Sequence, residues 1–267
     1  MSLGWIDVQA YSFNCCALFE RFQIRLLCGR AQCDPQFARA LGVALAGNET
    51  VAWCWARRSP ESARQVADLV ERAPKVAPEA LRRAEVTVLG VAEDFVIYGY
   101  PELMDTHCDF IRHWNPTRLL EMADFTGKVV LDVGSGSGRL AFAAAPLARR
   151  VIASEPVATL REYLRDRIAR EGIGNMSVVD GMADHLPYLD DTFDIVMSGH
   201  VVGDDFEAEL TELTRVTRDG GWILDCPGEE PRKRSPEPEL LRRGFKMDHY
   251  VSALGGDVYR YRKQVSK

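Results

Sequence analysis

The stretch VVLDVGSGSGRLAF, residues 129–142, constrains the fold more than any other part of the chain. An apolar run ends in Asp132, glycines alternate with small residues from Gly134 to Gly138, and an apolar helical pattern follows. Glycines between a strand and a helix let a ligand approach the backbone, because no Cβ stands in the way. Such a turn lies outside the carboxyl end of a sheet, where open α/β folds bind small molecules.

The rest of the C-terminal half extends this unit. RVIASE (150–155), MSVVD (176–180), FDIVMS (193–198) and GWILDC (221–226) read as further strands. GRLAFAAAPLA (138–148), 157–172 and 207–221 read as helices, the last two ending in glycine. Short apolar strands spaced by helices predict a parallel sheet covered on both faces. GFKMDHYVS (244–252) and DVYRYRK (257–263) flank Gly255-Gly256, so an antiparallel hairpin closes the sheet. Gly220-Gly221 reads as a helix stop, Asp194 as a structural strand-start acid, and 226–239 as a proline- and charge-rich loop.

The first 115 residues are less regular. NETVAWCWARR (48–58) has the look of a strand, 59–73 of a capped helix, and 84–100 of a hairpin turning near Ala92–Asp94. Residues 101–114 and 116–125 read as helices that open with proline. The expected organisation is an N-terminal α+β domain or cap over 1–115, and a doubly wound α/β domain over 116–267.

Charge and composition narrow the function. The formal net charge is −6, which argues against bulk electrostatic binding of nucleic acid. No apolar run reaches the roughly 20 residues of a membrane span. The start MSLGWIDVQAYSFN lacks the basic-then-apolar pattern of a signal peptide, and Met1–Leu3 resembles a cloning remnant. With seven cysteines, an odd number, a reduced, cytoplasmic protein is expected. Cys15, Cys16, Cys28 and Cys33 fall close together, but not as paired C-x-x-C; buried thiols are expected and no metal.

The loop chemistry selects the ligand. The spacing is G-x-G-x-G, where a dinucleotide fold prefers G-x-G-x-x-G. A carboxylate beside the loop suits a cationic ligand better than a pyrophosphate. Glu155, closing the next strand, is placed to take ribose hydroxyls. Together these call for a ligand with a ribose and an amine or sulfonium.

The chain here resembles the class I S-adenosylmethionine-dependent methyltransferases, over roughly residues 115–263. The resemblance rests on VLDVGSGSGRLA, ASEP, VVDGMADHLPYLDDTFDIVMS and RVTRDGGWILD. It implies a Rossmann-like sheet and S-adenosylmethionine as cofactor, with S-adenosylhomocysteine as product. Gly134, Ser135, Gly136 and Gly138 would contact the methionine part, Asp132 its amino group, and Glu155 the ribose, with Pro156 and Ser198 beside the cofactor. Where the family has Asp-Ala before Leu-Pro, this chain has Met182-Ala183. Met182 is expected to pack on the adenine and the Ala183 amide to reach a ring nitrogen, with Asp180 or Asp184 as replacement for the carboxylate.

Methyl transfer needs alignment above all, and a base only when the attacking atom carries a proton. In SGHVVGDDFE (198–207), His200 and Asp204 are the candidate catalytic residues. The competing reading gives His200 a structural hydrogen bond and makes Asp204 or Asp205 a helix cap. Glu229, Glu230, Arg232, Lys233 and Arg234 form either a solvated loop or a gate. The acceptor is expected to be a small molecule, selected by the N-terminal cap, where Tyr98, Tyr100, His107 and Trp114 are candidates. The alternatives are a nicotinamide-dependent oxidoreductase, disfavoured by Asp132 and the glycine spacing, and a non-catalytic cofactor-binding protein.

Overall fold

The computed structural model describes residues 7–267; Met1–Leu3 lie outside the described residues. The chain divides into two compact units, residues 1–100 and 101–267.

The second unit is a seven-stranded sheet. Its strands are β1 (Val129–Val133), β2 (Arg150–Ser154), β3 (Met176–Val179), β4 (Phe193–Ser198), β5 (Thr217–Asp225), β6 (Lys246–Val251) and β7 (Asp257–Gln264). The order is β3-β2-β1-β4-β5-β7-β6. β1 to β5 run parallel, and β7 pairs antiparallel with both β5 and β6. The strand order turns back at β1, which pairs with β2 on one side and β4 on the other. That is the switch point where such sheets open a crevice at their carboxyl ends. One apolar layer packs Val130, Val151, Ile195 and Leu224 against helix Arg139–Ala144, and the other packs Leu131, Val196 and Ile223 against helix Phe206–Val216.

The helix over 157–172 is Ala158–Glu171, stopped by Gly172 in the left-handed region. The helix over 207–221 ends earlier, at Val216, and β5 begins at Thr217. Gly220, at φ +72°, lies in an irregularity of β5, where pairing shifts from Phe193–Thr217 to Ile195–Trp222. Asp194 takes the Val129 amide at 2.7 Å and Arg218 at 2.9 Å, joining β4 to β1 and β5.

The first unit corrects the α+β expectation: among its described residues there is no strand. Residues 48–58 form helix Glu49–Arg58, and 84–100 form the end of helix Pro78–Val91 followed by helix Glu93–Tyr98. β-branched and aromatic residues gave these segments a strand-like composition, but their burial follows the helical period. Val51 and Trp55 are buried four residues apart, while Trp53 between them is 61% exposed. Val88 and Leu89 on the first of these helices, Ala92 at their junction, and Val96 and Ile97 on the second are likewise buried. Trp55 anchors this core: its Nε1–H donates to the Cys16 carbonyl at 2.8 Å, and Phe19 stacks on its ring. Cys15, Cys16 and Cys28 are buried here as free thiols and Cys33 is exposed.

Candidate active site

β1 delivers Asp132 and the glycine loop to the carboxyl edge of the sheet. Gly134, Gly136 and Gly138 have φ of +64°, +57° and +97°, a region where side chains are strained. A Cβ at Gly134 would lie 2.5 Å from Val201, and one at Gly138 2.5 Å from the Phe142 ring. At Gly136 a Cβ would meet only the methyl of Met104, at 3.5 Å. The middle of the loop is therefore bare backbone facing space, as a cradle for a ligand requires. Ser135 Oγ–H donates to the Asp132 carbonyl at 2.9 Å, which sets the turn.

Asp132 is buried and accepts the Ala141 amide at 3.0 Å. Glu155 is buried and accepts the amides of Gly136 (2.8 Å) and Val157 (2.9 Å). Burial pushes each carboxyl up to about 7, against the lowering effect of these amides and of Arg139 and Arg161. Asp225, ending β5, is also raised to about 7 by burial, and accepts Ser198 Oγ–H at 3.3 Å. Three desolvated acids at one sheet edge make a site suited to a cation.

Pro156 follows Glu155 and is half-buried. Met182 is 36% exposed and pairs in an isolated bridge with His185, while Ala183 packs against the apolar layer that contains Leu131 and Leu186. Asp180 holds Arg161 at 3.3 Å and Asp184 is exposed.

His200 follows β4, at φ +65°. Its Nε2 accepts the Gly228 amide at 3.0 Å, so the ring is neutral with its proton on Nδ1, and it packs on Phe110 at 5.0 Å. Crowding by the surrounding chain comes first, then the charges of Arg139 and Arg234, and together they hold the imidazole well below its usual pKa. The residue as a whole is nevertheless exposed. Asp204 is exposed on the same loop, and Asp205, not Asp204, caps helix Phe206–Val216 through the Ala208 amide. Gly228 leaves no room for a side chain, since a Cβ would lie 2.1 Å from the Phe110 carbonyl. Glu229 and Glu230 are buried rather than solvated; Glu229 accepts Tyr250 O–H at 3.3 Å, and Glu230 is held by Arg232 and Arg234.

Several contacts had not been singled out from the sequence. Helix Pro101–His107 belongs to this unit, with Asp105 accepting Tyr163 O–H at 2.6 Å. Arg167 lies 3.9 Å from Asp105, donates to the Ser137 carbonyl at 3.1 Å, and stacks on Phe142. Arg139, the residue after the third glycine, donates to the Cys226 carbonyl at 2.8 Å across the ends of β4 and β5. A guanidinium opening the apolar run RLAFAAA was the signal available in the sequence. Trp114 lies beneath Arg139, whereas His107 is exposed beside Thr106.

A methyltransferase-domain family model matches residues 130–221. A demethylmenaquinone methyltransferase of Clavibacter sepedonicus is 32% identical over 149 residues, covering 55% of this chain and 57% of that enzyme. An uncharacterised protein of Mycobacterium tuberculosis is 36% identical over 99 residues, 36% of each chain. The chain thus spans about a third to just over half the length of these relatives. In the solved structure of a candidate S-adenosyl-L-methionine-dependent methyltransferase from Methanococcus maripaludis, the fold is shared at a TM-score of 0.51 and 15% identity. That match covers 64% of this chain and 94% of the other.

Proposed function

We propose that this chain is a class I S-adenosylmethionine-dependent methyltransferase that transfers a methyl group from S-adenosylmethionine to a small-molecule acceptor. The observation that carries the reading is the pairing of a bare Gly136 backbone with two buried acids, Asp132 and Glu155, at the switch point of the sheet. When bound, the cofactor supplies an already activated methyl on a sulfonium. The chain's own residues then bind and orient. Asp132 meets the ammonium, and ionises fully when that charge arrives. Gly134, Ser135, Gly136 and Gly138 shape the floor, and Glu155 takes the ribose hydroxyls on the lone pairs that its two amide partners leave free. Pro156, Met182, Ala183 and Ser198 complete the cofactor side.

His200 stands at the acceptor side. Its left-handed backbone is a strain of the kind that gathers at functional positions. Its Nε2 lone pair receives the Gly228 amide, so proton abstraction requires that bond to open. Asp204 is left to the exposed rim of the same loop.

The test is isothermal titration with S-adenosylhomocysteine and with NADH. Micromolar binding of the first, roughly −8 kcal/mol, and none of the second is expected; the reverse overturns the reading. Binding without turnover on any acceptor in a methyl-release screen would favour a sensor.

A further inference from the structure

We infer that Arg139 and Trp114 form a carboxylate-binding site at the carboxyl ends of β4 and β5. The Arg139 guanidinium lies on the face of the Trp114 ring, 4.5 Å from its centroid. One terminal nitrogen donates to the Cys226 carbonyl at 2.8 Å. The other, Nη1, is buried and has no acceptor, and neither has the buried Trp114 Nε1–H. A buried donor without an acceptor costs about 1–3 kcal/mol, more when charged, so two beside one another are an unusual feature to retain. The neighbouring acids do not relieve them. Asp132 is committed to Ala141 and Asp225 to Ser198, and no carboxylate among the described residues lies within ion-pair distance of Arg139.

The backbone is arranged around this guanidinium. A Cβ at Gly199 would come within 2.6 Å of Arg139 Nη2, so the chain after β4 is kept bare where the arginine passes. The stacked guanidinium and indole thus carry two buried N–H donors without acceptors, and a carboxylate has the two oxygens to take them. Asp132 and Asp225 both exert their charge on Arg139, which favours a monoanion over a phosphate dianion. The stacked indole also holds the planar fork in one orientation.

The site rests on the methyltransferase reading only for the source of the carboxylate. That source is either the methionine carboxylate of the cofactor or a carboxylate on the acceptor. The test follows the indole N–H resonance of Trp114 in the ¹⁵N-labelled full chain, assigned by its loss in Trp114→Phe. Three probes are used: S-adenosylhomocysteine, 5′-methylthioadenosine, which lacks the amino-acid carboxylate, and benzoate added both to the free chain and in the presence of S-adenosylhomocysteine. A downfield, saturable shift with S-adenosylhomocysteine but not with methylthioadenosine identifies the cofactor carboxylate. A shift only on adding benzoate identifies an acceptor site. In either case Arg139→Gln weakens the active probe about 10–100-fold, the range of a charge-assisted bond. If S-adenosylhomocysteine fails to bind while benzoate still shifts the resonance, the carboxylate site stands and the cofactor assignment falls. A Trp114 resonance that no carboxylate moves in the wild-type chain overturns the inference, whatever the variants do.

Discussion

The Glu155 carboxylate closes on the Gly136 amide at 2.8 Å, so the acid at the end of β2 braces the loop at the end of β1. Its other oxygen takes the Val157 amide at 2.9 Å. One side chain therefore sets the loop and, on the proposed function, holds the ribose. Glu155→Ala is expected to weaken S-adenosylhomocysteine binding by about 1.5–3 kcal/mol. Isothermal titration reads this, and wild-type affinity in the variant would place the ribose elsewhere.

The glycines separate into two kinds. Gly136→Val puts a branched side chain at φ +57° on the open side of the loop, and should abolish S-adenosylhomocysteine binding in a chain that still unfolds cooperatively. Gly138→Ala drives a methyl into Phe142 and Leu164 at φ +97°, and should instead lower stability, by more than about 1–2 kcal/mol. Thermal melts beside binding isotherms distinguish the two. Equal loss of stability in both variants would contradict the division.

Asp132, Glu155 and Asp225 each have a carboxyl raised to about 7 by burial. In the unfolded chain they titrate near the ordinary carboxylate value of about 4. Between these pH values the folded protein binds more protons than the unfolded one, so stability falls as pH rises from about 4 to about 7. Denaturant titrations of the ligand-free protein across that range should show the decline, and Asp132→Asn should lessen it, with Glu155 and Asp225 carrying the rest. A stability that rises steadily from pH 4 to 7 would mean these acids are not desolvated in solution.

Tyr163→Phe removes the 2.6 Å bond to Asp105 and leaves the packing in place. The Tyr163 hydroxyl is raised to about 12, mainly by burial and then by Asp105, so the bond persists across the working pH range. The variant should lose about 1–2 kcal/mol of protection in helix Pro101–His107. Hydrogen exchange of the 101–107 amides checks this, and unchanged protection would show that the helix is held by other contacts.

Much of the cofactor half was legible because local pattern and tertiary role agree there. VVLDV and FDIVMS are strands at the expected bounds, since a strand buried on both faces must be a short continuous apolar run. The bounds of β5 were not, because Thr217–Gly220 looks like the end of a helix and becomes strand only by pairing with Phe193 and Val265. In the N-terminal unit VAWCW carries strand-forming residues on a helical burial period, and only the packing around Trp55 decides between them. At the site, Asp132 and Glu155 declare themselves by position at the end of a strand. Arg139, Asp105 and Tyr163 do not, since their partners lie 87 and 58 residues away in sequence.

The seam between the two units falls at Tyr100–Pro101, ahead of the helix that carries Met104 and Asp105. Met104, against Gly136, and Asp105, bonded to Tyr163, therefore travel with the sheet when the chain is divided there. A descendant could exchange or lose everything before Pro101 and inherit the glycine loop with its brace intact. A break placed near His113 would cut through that inheritance.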